Sequence, residues 1–237
     1  MKIKQRFFQL SEQWCAIHVP KRPNGFALFI LGDVSHFVES KTSLWTQHAG
    51  KRRMLHELCE YGYTIFYSHL YGANWGSEKA VQLAKQLIHY VLKSEILNNR
   101  IYILAEGMGA LVALRLMDEM TEKIRAVAML NPCLNLQAQL QYEKENKFFY
   151  KRLLQQLKQA YELEEEELKS CLPSFSMMKV TVPIKFWQIS GVNQYPPSLH
   201  ARKYAQLLSI PISYHLPERK YQFAQAIDDF YKRYSEL

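Results

Sequence analysis

The 237 residues, 48% hydrophobic and 22% charged, have the balance of a globular chain large enough for a sizeable core, and they predict one domain with a small inserted subdomain. No stretch approaches the length of a membrane span and the first eight residues lack an apolar leader pattern, so a cytoplasmic protein is expected. The formal charge of +8 comes from scattered Lys and Arg with one short run at Lys51-Arg52-Arg53, which reads as solubility rather than a nucleic-acid or membrane surface.

Along the chain, apolar runs alternate with helical patterns, the signature of a doubly wound α/β sheet. Phe7 to Val19 predicts two antiparallel strands, and Lys21-Arg22-Pro23-Asn24-Gly25 supplies a turn before a strand at Phe26 to Leu31. A crossover helix is expected from Leu44 to Tyr61, then a strand from Tyr63 to Ser68, a loop from His69 to Gly76 and a helix from Glu78 to Lys93. Arg100 to Leu104 reads as a strand feeding a helix at Ala110 to Met117, and Ile124 to Leu130 reads as the next strand. Residues Leu134 to Met178 are rich in Gln, Glu, Lys and Leu and read as wholly helical. The sheet resumes at Ile184 to Ile189, with a helix over Pro196 to Leu208, a last strand at Ile212 to Leu216 and a closing helix over Tyr221 to Tyr234.

Between the strand ending at Leu104 and the following helix stands Ala105-Glu106-Gly107-Met108-Gly109. It is the frame of the Gly-x-Ser-x-Gly nucleophile elbow, in which a strand turns sharply into a helix and holds a serine oxygen above the sheet, with glycine at the serine position. The elbow residue takes a positive φ that costs a side-chain-bearing residue about 1 to 3 kcal/mol, and glycine adopts it freely. Gly107 thus keeps the turn and removes the nucleophile. Taken alone, the five residues fit an ordinary strand-to-helix turn equally well.

The whole order resembles the α/β-hydrolase superfamily: an antiparallel start, a mostly parallel doubly wound sheet of seven to eight strands, an elbow at its centre and a helical lid between strands six and seven. The resemblance implies a core over 1–133 and 179–237 and a lid over 134–178. Leu31-Gly32-Asp33 follows the strand where the superfamily places an oxyanion-hole amide, and Tyr71 to Ser77 falls at its Gly-His-Gly-x-Ser loop. Ser190 to Pro196 falls at the loop that carries its acid. Superfamily catalysis needs a serine, a histidine to take its proton and an acid to orient that histidine. Here the acid position falls on Gln194, or on Asn193 in a register shifted by one, and the histidine position on Tyr221 or a neighbour, so the resemblance implies a degenerate triad at Gly107, Gln194 and Tyr221.

Four other groups could carry relocated chemistry. His215 is the histidine nearest to the expected position, though a strand histidine is more often packed; Ser35-His36 could pair as nucleophile and base, though adjacent side chains rarely aim at each other. Glu106 could be a buried base or half of a salt bridge. Asp33, if it faces the elbow, would repel the charge that an oxyanion hole stabilises. Cys15, Cys59, Cys133 and Cys171 lack metal-site spacing and read as reduced, buried thiols, and no metal or cofactor is expected.

The amides at the start of the elbow helix, with Gly32, Asp33, Gly107 and Met108 around them, would attract a carboxylate or phosphate group. With Phe148, Phe149, Tyr150 and Tyr161 on the lid, they imply a pocket for a small acyl or carboxylate ligand. The expectation is therefore a non-hydrolytic binder of such a ligand or of a protein partner. The alternatives are an esterase, thioesterase or lyase with relocated residues and an interaction scaffold.

Overall fold

The computed structural model describes residues 4–145, 147–172, 181–219 and 221–236. Eight strands form one sheet: β1 (Lys4–Leu10), β2 (Gln13–Val19), β3 (Ala27–Leu31), β4 (Thr64–Ser68), β5 (Ile101–Glu106), β6 (Ile124–Leu130), β7 (Ile184–Ile189) and β8 (Ile212–His215). Their spatial order is β1-β2-β4-β3-β5-β6-β7-β8. β1 with β2 and β2 with β4 pair antiparallel, and every later pair is parallel.

β3, β4 and β6 are buried at every residue because helices cover both faces of the sheet. The two-residue period sorts their side chains: Phe29, Leu31, Ile103 and Ala105 face one core, and Leu28, Ile30, Tyr102 and Leu104 the other. The first core is roofed by α3 (Glu78–Ser94), α4 (Gly109–Glu119) and α8 (Ala201–Leu208). The second lies under α2 (Ala49–Glu60) and α9 (Ala224–Lys232), with Trp45 of α1 (Leu44–Gln47) fully buried in it. α5 (Leu136–Glu143), α6 (Lys147–Tyr161) and α7 (Glu165–Cys171) lie in the chain between β6 and β7 and form a third apolar cluster with Trp75, Met108 and Tyr195. The expected end of this insertion at 178 lies outside the described residues, as does the side chain of Cys171.

Two helical expectations are corrected. The single crossover helix is split at His48, whose ψ of 120° ends α1 while its Nδ1 accepts the Lys51 amide and caps α2. The helix expected from Pro196 begins only at Ala201, because the Pro196 and Pro197 carbonyls first close tight turns with the amides of Leu199, His200 and Arg202. Proline also disfavours the α conformation in the residue before it.

Candidate functional site

β5 runs straight into α4 through Gly107, whose φ is +49°. Its amide donates to the Leu130 carbonyl and its own carbonyl accepts the Cys133 amide, so the bend is stitched to the end of β6 and the loop beyond it. Two residues on, a Cβ at Gly109 would stand 2.4 Å from the Leu31 carbonyl oxygen, and only glycine lets α4 approach the end of β3 this closely.

β3 ends in a turn closed by the His36 amide donating to the Asp33 carbonyl at 2.8 Å. The turn throws the Asp33 side chain over the elbow. A Cβ built on Gly107 would lie 2.3 Å from Asp33 Cγ and within 2.5 Å of both carboxylate oxygens. The carboxylate therefore fills the space in which an elbow side chain would stand. Asp33 Oδ1 accepts the Met108 amide at 2.9 Å and the Tyr195 hydroxyl at 2.7 Å, and Oδ2 meets Gln194 Nε2 at 3.4 Å. Burial pushes the Asp33 carboxyl above its usual range; the Met108 amide and the Tyr195 hydroxyl oppose the shift, and the Glu106 charge adds to it.

The amide of Met108, which the sequence reading offers to a ligand's carboxylate, is thus taken by the chain's own carboxylate. Of the four expected ligand contacts, Asp33 lines the adjoining cavity; Gly107 and Met108 lie beneath it. Gly32 is buried where the His36 ring fills the space of its missing side chain.

The relocated candidates do not gather. Ser35 is exposed at the cavity rim, while His36 is buried with its ring edge-on to Tyr67, and burial pushes its pKa down to about 3. Glu106 pairs with Lys51 at 2.5 Å, and each side chain is only 14% exposed. The Lys51 ammonium also lies over the Trp45 ring. His215 ends β8 with its ring edge-on to Phe223, its pKa lowered by burial and by Lys185 and Arg219. Tyr221 packs on α2, its hydroxyl 3.1 Å from His48 Nε2 and its ring over Gly50. Gln194 alone of the expected acid and histidine positions reaches the elbow, through Asp33. Cys133, fully buried near Asp33, has its thiol pushed far above the usual range by burial, and Cys15 and Cys59 are also free and buried. Among the described residues no group of His, Cys, Asp and Glu could hold a metal ion.

Above Asp33 opens a cavity of about 720 Å³ between the β3 and β7 loops, Trp75 and helices α5 and α6. A buried polar rail holds α5 in place. The Leu134 amide donates to His200 Nδ1, which leaves Nε2 as the protonated nitrogen donating to Gln139 Oε1. Gln139 Nε2 then donates to the Gln194 carbonyl and to Glu143. On the other wall Trp75 Nε1 donates to Gln156 of α6, and the Tyr161 hydroxyl donates to the Trp75 carbonyl. The sequence reading assigned no role to Tyr195, Gln139 or Trp75. Tyr195 alone carried a signal, by standing next to Gln194.

No family model matches the chain, and no curated protein matches it in sequence. Solved structures do match its fold over its whole length. Est1E from Butyrivibrio proteoclasticus superposes with a TM-score of 0.64 at 13% identity, covering 98% of this chain and 99% of that one. The proline iminopeptidase-related protein from Thermus thermophilus gives 0.59 at 16% identity over 100% and 97% of the two chains. The acylaminoacyl peptidase of Pyrococcus horikoshii gives 0.68 at 12% identity, over 99% of this chain and 42% of its own. The strand order and these superpositions define the class: the chain has the α/β-hydrolase fold. Among the described residues no helix is long and apolar enough to cross a membrane.

Proposed function

We propose that this α/β-hydrolase-fold chain forms no acyl-enzyme and instead binds a small molecule in the cavity over Asp33, with α5 and α6 as its lid. One observation carries the reading: the Asp33 carboxylate stands over Gly107 and engages the Met108 amide. In a serine hydrolase the elbow oxygen attacks, and the amide after it helps to hold the oxyanion. Here the first is absent and the second already faces a negative charge. Loss of the nucleophile alone costs about a million-fold in rate, roughly 8 kcal/mol of barrier. The ligand is then recognised by the cavity walls rather than by the start of α4.

The relocated-enzyme reading required Ser35, Glu106, Asp33 and His215 to come within hydrogen-bond reach of one another, and their contacts lie with other residues. A protein-partner reading has one favourable observation: Phe148 and Phe149 of α6 are 69% and 48% exposed and pack edge to face. It predicts a partner in pull-downs that Phe148→Ser releases.

The central test combines fluorophosphonate labelling and p-nitrophenyl ester turnover, both expected blank, with a thermal-shift screen. A bound ligand at a hundred times its dissociation constant stabilises by about 2.7 kcal/mol. Covalent labelling, or esterase activity that copurifies and disappears in a site variant, overturns the proposal.

A further inference from the structure

We infer that the cavity over Asp33 is built for a ligand carrying an ammonium group beside an aromatic or aliphatic body. The inference rests on the cavity being the ligand site, as proposed above.

The whole chain has a formal charge of +8, yet among the described residues the cavity wall carries three carboxylates, Asp33, Glu143 and Glu145, against the single guanidinium of Arg152. Among the described residues neither Asp33 nor Glu143 is ion-paired with a Lys, Arg or His. Asp33 sits at the floor. Its Oδ1 takes the Met108 amide and the Tyr195 hydroxyl, the Val34 backbone also bonds the carboxylate, and Oδ2 meets Gln194 at a long 3.4 Å that a strong donor would replace. Glu143 Oε1 takes Gln139, and burial pushes the Glu143 carboxyl upward, as it does that of Asp33. Both groups are held in the wall without a cation, so a ligand that supplies one relieves the carboxylate it meets.

The rest of the wall fits the same ligand. Trp75, Tyr195 and Phe149 offer aromatic surface, which attracts cations as well as apolar groups. A carboxylate ligand finds the elbow amide already taken and two unpaired carboxylates facing it, with Arg152 as its one cationic contact among the described residues.

The test uses three probes of matched shape: 2-phenylethylamine, 2-phenylethanol and 3-phenylpropanoate, measured at constant ionic strength by thermal shift and titration calorimetry on the full chain. The amine is expected to bind at least about tenfold tighter than either of the others, the order of one charged hydrogen bond. Asp33→Asn, which keeps the acceptor for both donors, should bring the amine down to the alcohol's affinity for the same variant, and Glu143→Gln should reduce the preference. If the propanoate binds as tightly as the amine or more tightly, the ligand class is wrong and the ligand site stands. If the amine binds equally well to both variants, its site lies elsewhere and the inference falls. If none of the probes binds, the ligand-site reading fails and takes this inference with it.

Discussion

The Tyr195 hydroxyl donates to Asp33 Oδ1 at 2.7 Å and joins the loop after β7 to the loop after β3 across 162 positions of sequence. Tyr195 is buried and Asp33 half-buried, and the bond holds the carboxylate over the elbow rather than letting it swing into the cavity. Tyr195→Phe should cost about 1.5 to 3 kcal/mol, the range for a hydrogen bond to a charged group. Urea unfolding at neutral pH measures it, and an unchanged midpoint would show that the bond contributes nothing.

Asp33→Asn should raise stability, and the gain should grow with pH. The folded carboxyl titrates above its unfolded value of 3.8 because it is buried. Between those two values the folded state binds the proton more tightly, so wild-type stability falls as pH rises, by about 1.4 kcal/mol per unit. The asparagine variant lacks that loss. Melting curves from pH 4 to pH 8 should diverge, and parallel curves would mean that Asp33 is as easily ionised folded as unfolded.

Gly107→Ser is expected to destabilise by about 2 to 4 kcal/mol, because it combines a left-handed backbone position with a side chain driven into the Asp33 carboxylate. Adding Asp33→Gly should recover part of the loss, so that the double variant costs less than the sum of the singles. Neither protein should take a fluorophosphonate label, since His215 is packed on Phe223 rather than aimed at the bend.

Acid should unfold the chain early. Burial holds His18 and His200 near pKa 4 and His36 near 3. All three lie below the unfolded value of 6.5, so their stability is complete above pH 6.5 and is lost as the unfolded chain takes up protons below it. Each contributes a slope of about 1.4 kcal/mol per pH unit. Urea midpoints should fall steeply from pH 6.5 to pH 5, and His36→Leu should flatten the fall by one histidine's share.

The Lys51–Glu106 pair predicts strong non-additivity. Removing one partner, as in Glu106→Gln, strands a largely buried ammonium and should cost about 1 to 3 kcal/mol after allowance for its partial exposure. Lys51→Met with Glu106→Leu should be close to neutral. A double variant as unstable as the two singles combined would mean that the residues act independently.

The sheet was legible because its signals are local. Continuous apolar runs such as Phe26 to Leu31 admit few states other than a strand buried on both faces, and they mark the central strands, whereas the edge strands β1 and β8 are partly polar and half-exposed. The break at His48 left no mark, since the apolar spacing continues from Leu44 to Tyr61 on either side of it. At the site, the positive φ of Gly107 and the ambiguous direction of Asp33 could be read in advance. The bond from Tyr195 could not, because no pattern links positions 162 residues apart. Nor could Glu143 and Arg152 be assigned to a cavity wall, since a charged residue on an amphipathic helix looks the same whether it faces water or an enclosed space.

The carboxylate seated over the bend also constrains how this sequence can change. A serine arriving alone at 107 meets Asp33, and a shortened residue arriving alone at 33 leaves the Met108 amide and the Tyr195 hydroxyl without their acceptor. Each step is a loss unless the other has already happened, and even together they bring no imidazole. The pair behaves as a ratchet that turns single substitutions at either position away from a serine elbow.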